Sequence, residues 1–123
     1  SKNIIRRAGE NIAAAEVEVV LQTHEQVAQA AVLAAPDELR EEEVYACIVV
    51  VPDVDTNDEL ASDLFDWCRE RLSYFKAPGY ILFMDKLPTT GTQKIQKGQI
   101  FEPDTDMVSL PDVFDFRARK KRN

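Results

Sequence analysis

The fold is decided by one uninterrupted apolar run at residues 44–51, Val44-Tyr45-Ala46-Cys47-Ile48-Val49-Val50-Val51, which Pro52 closes. A strand with one face in water alternates apolar and polar residues, whereas this run is apolar at both alternating positions. It therefore predicts a central β-strand that is covered on both faces, and the remaining elements have to supply the two covers.

The segment before this strand predicts a hairpin, a helix and a second strand. Residues 3–6 are β-prone and residues 8–11 have the composition of a tight turn, after which a short second arm begins. Residues 27–35 form a strand of small apolar residues. Residues 14–22 have helical spacing, and one face of that helix carries Val17, Val20 and Leu21.

The segment after the central strand predicts a second helix and a third strand. Thr56 stands three residues before Glu59, which is the form of a capping box, and it predicts a helix that runs to about Leu72. Residues 80–84 form an apolar strand, and residues 96–100 form a short helical turn.

This order of elements predicts an α+β domain with a three-stranded sheet, helices packed on it and a small N-terminal β-hairpin at its edge. The domain should occupy residues 1–101. Residues 102–123 read as an irregular tail, first acidic and then basic, that is loosely held.

Composition places the chain among soluble globular domains. It has 123 residues, of which 45% are hydrophobic and 30% are charged. No apolar run approaches the roughly 20 residues that span a bilayer, and the N-terminus lacks the layout of a signal peptide. The chain begins as an excised piece of a longer protein would, and we expect a cytoplasmic location.

The charge distribution argues against nucleic acid as a partner. The net charge is −7, and residues 117–123 hold five basic residues and no acids. The other 116 residues thus carry ten basic and 22 acidic side chains, a net charge of −12, which disfavours binding to a polyanion. The short basic end is either disordered or packed against a partner domain.

Several polar or reactive residues have simple structural interpretations. With a single histidine and two separated cysteines, no metal site is predicted, and Cys47 and Cys68 are interpreted as small buried hydrophobic residues. His24 is expected to cap a helix or to lie at the surface, and residues 41–43, three consecutive glutamates, are expected to be solvated.

The main candidate for chemistry is a loop at residues 87–97, Leu87-Pro88-Thr89-Thr90-Gly91-Thr92-Gln93-Lys94-Ile95-Gln96-Lys97. Its proline, threonines and glycine favour neither helix nor strand, so it should be exposed and should hold Lys94 away from the body of the domain. On composition alone, ordinary solvated lysines are the simpler interpretation of Lys94 and Lys97.

This loop resembles the last signature motif of the adenylate-forming acyl-CoA synthetases, the superfamily of acyl-CoA ligases, luciferases and peptide-synthetase adenylation domains. The resemblance extends from Lys2 to about Phe101 and implies that the chain is the mobile C-terminal lid domain of such an enzyme. It also implies that Lys94 is the adenylation lysine and that Lys97 braces the loop or faces solvent. The family usually has glycine just before this lysine, where this chain has Gln93, so Gly91 is expected to supply the positive φ angle.

A second motif, Arg6-Arg7-Ala8-Gly9-Glu10-Asn11-Ile12, resembles the family's eighth core motif, with Ala8 in place of the first of two glycines. The resemblance implies a hairpin that enters the active site for thioester formation, with Gly9 against the pantetheine arm of CoA. Its basic side chains, Arg6 and Arg7, could pair with the phosphates of CoA, and Glu10 and Asn11 complete the candidate site. The alternative is an ordinary β-turn with charged surface residues.

The resemblance further implies a hinge at Lys2, about which the domain rotates against a large N-terminal domain of the same protein. ATP with Mg²⁺, CoA and a carboxylic acid would be the substrates of the whole enzyme, and the isolated chain should bind none of them tightly. The motifs lean toward the carnitine/crotonobetaine-CoA ligase branch. Two alternatives remain: an adenylation domain that loads a carrier protein, and a non-catalytic interaction module.

Overall fold

The architecture is that of a computed structural model, which describes residues 3–122. Six strands and two α-helices follow one another along the chain, joined by turns and short 3₁₀ segments. In order they are β1 (Ile4–Arg7), β2 (Glu10–Ala13), α1 (Ala14–Gln22), β3 (Val27–Asp37), β4 (Glu41–Val50), α2 (Asp58–Arg71), β5 (Tyr80–Phe83) and β6 (Phe114–Asp115).

Residues 44–50 of the apolar run lie in β4, the strand at the centre of a six-stranded sheet. β4 pairs antiparallel with β3 along its length and parallel with β5 through residues 45–48. The β1–β2 hairpin joins at the start of β4 through the pair Arg7–Glu41, and β6 joins β5. The predicted α+β class and the N-terminal hairpin at the edge of the sheet are confirmed, but the count of three strands is inexact, because the hairpin pairs with β4 and β6 adds a further strand. Because β6 is only two residues long, no sequence pattern marks it.

Both faces of β4 are covered, as its sequence predicts. Val44, Ala46 and Ile48 face a cluster that contains the buried sides of α1 and α2. Tyr45 and Cys47 face a second cluster. In the described residues this second cover contains no α-helix, and it is made largely of residues that follow β5, including Leu87, Ile95, Ile100, Phe101, Met107 and Leu110.

Both helices lie where the spacing predicts, but α2 begins with a different cap. Helix α1 buries Ala14, Val17 and Leu21. At the start of α2 the side chain of Asn57, not Thr56, accepts a hydrogen bond from the Leu60 amide at 2.9 Å. Asparagine caps at least as well as threonine, so the chain uses the neighbour of the expected cap.

The end of the chain is held, in contrast to the loose tail predicted. The hydroxyl of Tyr45 donates to the carbonyl of Met107 at 2.8 Å. Phe116 is buried and stacks on Phe65 of α2, with ring centroids 5.1 Å apart. Apolar side chains at alternate or irregular positions make these contacts. Because the segment around them is acidic and rich in turn residues, its sequence does not predict that it packs on the domain.

The structure contradicts a surface position for His24 and solvation of Glu43. His24 is buried, with its Nε2 3.1 Å from Asp63 Oδ2 and its ring edge against Trp67. Of residues 41–43, Glu43 is fully buried, since it lies on the same alternating face of β4 as Tyr45. Within residues 3–122 the longest helix, α2, has 14 residues, and no helix there has the length and apolarity to span a membrane.

Candidate functional site

The candidate lysine lies on a small hairpin-like loop that follows β5. Thr89 and Ile95 form an antiparallel bridge, and the Thr90 amide donates to the Lys94 carbonyl at 2.8 Å. The Gln93 amide donates to the Thr90 carbonyl at 2.9 Å, which closes the turn. The loop is therefore a defined backbone structure that presents residues 91–94 at its tip.

One hydroxyl group organises this tip. Thr90 Oγ1 accepts from the backbone amides of Lys94 and Thr92, at 3.2 and 3.3 Å, and lies 2.9 Å from Thr92 Oγ1. Sequence reasoning did not single out Thr90, although threonine side chains that bind their own backbone are a known feature of turns.

The positive φ angle of the loop lies at Gln93 rather than at Gly91. Gln93 has φ of 68°, whereas the only described glycine with a positive φ is Gly9. The expectation that Gly91 supplies this conformation is therefore wrong. The backbone keeps the left-handed geometry at the position before the lysine, with a side chain that makes it less favourable.

Lys94 and Lys97 differ in their surroundings. Lys94 is exposed, and no hydrogen bond or ion pair of its ammonium group is found among residues 3–122. The ammonium group of Lys97 lies 2.7 Å from Glu18 Oε2 of α1, 3.0 Å from the Val32 carbonyl of β3 and 3.3 Å from Asn3 Oδ1. Lys97 thus fixes the loop to the body, and Lys94 is left available to a group outside the domain.

The second candidate site is the turn between β1 and β2. Ala8 and Gly9 form a two-residue loop with φ of 47° and 85°, the pattern of a type I′ turn. A side chain at Gly9 would meet no atom within 4 Å. Ala8 again places a side chain where the family pattern has glycine, as Gln93 does in the lysine loop.

The side chains of this hairpin separate into an outer and an inner set. Arg6 and Asn11 are exposed and pair across the strands, with Arg6 Nη1 donating to Asn11 Oδ1 at 2.9 Å. Glu10 is also exposed. Arg7, in contrast, is buried, and its Nε donates to Glu43 Oε1 at 2.9 Å.

Glu43 is the centre of a buried ionic cluster that sequence reasoning missed. Its carboxylate contacts Arg7, the ammonium group of Lys120 at 2.5 Å and the Val44 amide at 2.7 Å. Burial of Lys120 lowers the pKa of its ammonium group to about 8, against the attraction of Glu43. The sequence contained one signal for this cluster: Glu43 lies two positions before Tyr45, so its side chain is on the same buried face of β4. A carboxylate that is buried there needs cationic partners.

The lysine loop and the Ala8-Gly9 turn lie at opposite ends of the hairpin. Lys97 contacts Asn3, just before β1, while the turn follows Arg7 at the far end of that strand. Lys94 lines the same cavity as Asn3, and the four residues of β1, about 13 Å at roughly 3.3 Å per residue, separate Asn3 from the turn. The structure therefore does not bring the two candidate sites together. The predicted hinge, Lys2, lies outside the described residues.

Sequence relatives of this chain include several CoA ligases. It is 39% identical over 97 residues to a probable CoA ligase of Humulus lupulus, covering 79% of this chain and 17% of that protein. It is 39% identical to a mitochondrial medium-chain acyl-CoA ligase of Danio rerio (89% of this chain, 18% of the relative). It is 40% identical to a peroxisomal acetate/butyrate–CoA ligase of Arabidopsis thaliana (90% and 20%).

Solved structures give the same assignment. An acyl-CoA synthetase of Brucella canis matches with a TM-score of 0.74 and 35% identity over 77% of this chain and 18% of that one. The o-succinylbenzoate CoA synthetase of Bacillus subtilis, in complex with its acyl-adenylate intermediate, matches with a TM-score of 0.71 and 35% identity over 81% and 20%. The chain thus spans about a fifth of the length of these relatives. Residues 16–94 match the family described as AMP-binding enzyme C-terminal domain, and the chain belongs to that family.

Proposed function

We propose that this chain acts as the mobile C-terminal domain of an ATP-dependent acyl-CoA synthetase, with Lys94 as its adenylation lysine. The observation that carries the proposal is the contrast between the two loop lysines. Lys97 is bound to three groups of the body, whereas Lys94 is exposed on the hydrogen-bonded tip of the loop. An ammonium group with no partner among residues 3–122 is suited to an anion that another domain presents.

The chemistry assigned to Lys94 is charge stabilisation. When a carboxylate attacks the α-phosphate of ATP and expels pyrophosphate, both reactants are anionic and negative charge spreads over the phosphoryl oxygens. A cation placed at these oxygens in a water-poor site contributes several kcal/mol to transition-state stabilisation, by the order of magnitude known for comparable groups. Mg²⁺ accompanies ATP in this proposal, and no residue of this chain is assigned to it.

The chemistry assigned to the Ala8-Gly9 turn is guidance of CoA. The open space beside Gly9 allows a thin chain such as the pantetheine arm to pass close to the backbone. The exposed Arg6 guanidinium can bind a phosphate of CoA with two hydrogen bonds. Arg7 has a structural role in this proposal, since its side chain is directed to Glu43.

The distance between the two sites supports their use in turn. Lys94 lines a cavity with Asn3 at one end of β1, and Gly9 follows the other end of that strand, so the two groups are not placed to reach one reacting carbonyl in a single orientation of the domain. We therefore propose two orientations: one with Lys94 at the site for adenylation, and one with Gly9 at the site for thioester formation. Rotation between them would need only a few hinge residues, and we assign it to Lys2.

The adenylation role is tested by Lys94→Ala in the full-length protein, with Lys86→Ala as the control. Lys86 is another exposed lysine, eight positions earlier. We expect Lys94→Ala to reduce acid-dependent pyrophosphate release by about 100-fold or more and to spare thioester formation from a supplied acyl-adenylate. Lys86→Ala should leave both unchanged. A Lys94→Ala enzyme that releases pyrophosphate at the wild-type rate would rule out the role.

The CoA-side role is tested by Gly9→Leu, with Gly9→Ala as the control for backbone strain. Both substitutions put a side chain at a positive φ angle, but only leucine obstructs an incoming chain. We expect Gly9→Leu to impair thioester formation and to spare adenylation, with a much smaller effect for Gly9→Ala. Equal loss of both half-reactions in Gly9→Leu would contradict the assignment.

The proposal also covers the thiol that accepts the acyl group, the acid that is activated and the cellular compartment. The names of the relatives favour CoA over the thiol of a carrier protein, and a thioester assay with each acceptor separates the two. The lean toward carnitine or crotonobetaine stays a prediction, because the two relatives that name an acid name medium-chain acids and acetate or butyrate. The cytoplasmic location also stays a prediction, since a mitochondrial and a peroxisomal enzyme are among them.

A further inference from the structure

The last residues of the chain form a strap across one edge of the domain, defined here as residues 114–122. Its first residues pair with β5 as strand β6, and the Phe116 amide donates to the Gly79 carbonyl at 2.7 Å. Arg119 follows, within 2.7 Å of Asp66 on α2. The strap lies outside the matched family region, residues 16–94, and the proposed chemistry assigns it nothing.

Within the strap, Lys120 differs from its basic neighbours because its side chain is completely buried. Its ammonium group and the carboxylate of Glu43 are both at 0% exposure, whereas the Arg119 side chain is 44% exposed. Long cationic side chains are almost never fully buried unless they are paired. Lys120 therefore belongs to the interior of the domain, and its ionic partner there is Glu43.

The position of the Glu43 carboxylate is constrained on several sides. A Cβ atom at Gly79 would lie 2.4 Å from both Cγ and Cδ of Glu43, so the chain needs glycine at that point to admit this side chain. The two oxygens are divided between partners: Oε1 accepts from Arg7, and Oε2 accepts from Lys120 and the Val44 amide. Glu43 thus joins the strap to Arg7 through one carboxylate.

Arg7 in turn is the residue that leads into the Ala8-Gly9 turn. The hairpin meets β4 at a single pair, Arg7 with Glu41, and the Ala8 amide donates to the Arg40 carbonyl at 2.9 Å. Together with the Arg6 amide, which donates to Glu42 Oε1 at 2.8 Å, these contacts fix the direction in which the turn points. The side chain of Arg7 adds a buried anchor, and that anchor depends on Glu43 being held in place.

We propose that Lys120 is a positioning residue for thioester formation: by holding Glu43 against Arg7, the strap sets the orientation of the Ala8-Gly9 turn. This inference rests on the proposed function of that turn. Lys120 itself touches no substrate. The lysine loop is anchored separately through Lys97, Glu18 and Val32, so adenylation does not depend on this chain of contacts.

The test is Lys120→Met in the full-length protein, with Arg119→Ala as the matched control. Methionine keeps an unbranched chain in the buried site and removes the charge, while Arg119→Ala removes a strap cation whose ionic contact is with α2. We expect Lys120→Met to slow thioester formation from a supplied acyl-adenylate about tenfold or more, since a misplacement of about 1 Å can cost on the order of 100-fold. Pyrophosphate release should stay within about twofold, and Arg119→Ala should change neither rate.

A second readout follows the turn directly. Hydrogen exchange at the Ala8 amide should become faster in Lys120→Met and should stay unchanged in Arg119→Ala. If Lys120→Met does not fold, Glu43→Gln, which keeps the shape of the side chain, takes its place with the same expectations. Unchanged Ala8 exchange, an unchanged thioester rate, or an equal loss of both half-reactions would overturn the inference.

The outcome can be separated from the test of the proposed function. Lys94→Ala and Gly9→Leu are measured in the same two assays. If they separate the half-reactions as expected and Lys120→Met does not, the positioning role alone fails. If they do not separate the half-reactions, the proposed function fails first.

Discussion

Gln93 and Ala8 hold the backbone in a conformation that glycine adopts at a lower free-energy cost. Their φ angles are 68° and 47°, and for a residue with a Cβ atom the left-handed region costs roughly 1–2 kcal/mol. Both lie in the candidate sites, one directly before Lys94 and one directly before Gly9. Strain of this kind persists where surrounding contacts determine the backbone, and the hydrogen bonds of Thr90 supply such contacts in the lysine loop.

Exchange of the two loop residues tests this strain. The double variant Gly91→Gln with Gln93→Gly moves glycine to the left-handed position without changing composition, so the entropy of the unfolded chain is nearly conserved. A side chain at position 91 meets no atom within 4 Å at its Cβ. We expect the free energy of unfolding in urea to rise by about 1 kcal/mol. The single variant Gln93→Gly should gain less free energy of unfolding, because the added glycine increases the conformational entropy of the unfolded chain. A double variant that is less stable than the wild type would contradict the argument.

The titration of Lys120 predicts a pH dependence with a definite sign. Burial lowers its pKa from 10.5 to about 8, with Arg7 and Arg40 acting in the same direction and Glu43 against them. Between pH 8 and pH 10.5 the unfolded state binds more protons at Lys120 than the folded state does. The contribution of Lys120 to the free energy of unfolding therefore rises with pH, by at most about 1.4 kcal/mol per pH unit.

The measurement is the unfolding free energy of the wild type minus that of Lys120→Met, taken at pH 7 and pH 10. This difference should move in favour of the wild type as the pH rises, and it removes the titration of every other group. A difference that falls or stays constant over this range would show that Lys120 is not held in a desolvated site.

At the level of elements, the cap that the sequence pattern predicts for α2 differs from the cap that is observed. Thr56 and Glu59 have the spacing of a capping box, yet the observed cap is Asn57, whose side chain accepts from the Leu60 amide. We expect Asn57→Ala to lower the free energy of unfolding by about 1 kcal/mol. Thr56→Ala, at an exposed position, should change it by less than about 0.5 kcal/mol. Thermal or urea unfolding of both variants decides between the two caps.

Elements with a local signal were predictable, and those that depend on distant partners were not. The bounds of α1 agree with the 3.6-residue spacing of Val17, Val20 and Leu21 because that pattern lies within the helix itself. β4 was recognised because both its faces are apolar. In contrast, β6 exists only through its pairing with Tyr80 and Ile81, more than 30 positions earlier, and no local property distinguishes it.

The candidate sites show the same division. The resemblance of two motifs predicted Lys94 and Gly9 as site residues, and exposure of both is consistent with the roles proposed for them. The burial of Arg7 and Glu43 could not be read locally, because it depends on Lys120, 77 positions after Glu43. From sequence alone, the three consecutive glutamates and the basic chain end are both expected to be solvated. In the fold, Glu43 of the first group and Lys120 of the second form a buried ion pair.

At the level of the whole molecule, the domain has two apolar layers, one on each face of β4, and each contains one cysteine. Cys68 lies with the helices and Cys47 lies under the cover that residues after β5 provide. Burial raises the pKa of each thiol from 9.0 to about 12. The thiols therefore report on the integrity of both layers.

The raised pKa of these thiols predicts that the domain loses stability at alkaline pH. Because their pKa is raised on folding, the folded state binds more protons than the unfolded state between pH 9 and 12. The stabilisation is complete below pH 9 and is lost as the pH rises toward 12, by on the order of 2 kcal/mol per thiol at pH 11. The measurement compares the wild type with Cys47→Ala and Cys68→Ala at pH 8 and pH 11, since the cavity that alanine leaves is independent of pH. Each variant should lose less stability than the wild type over this range. A variant that loses as much would place its cysteine in contact with water, and the layer that contains it would then be open.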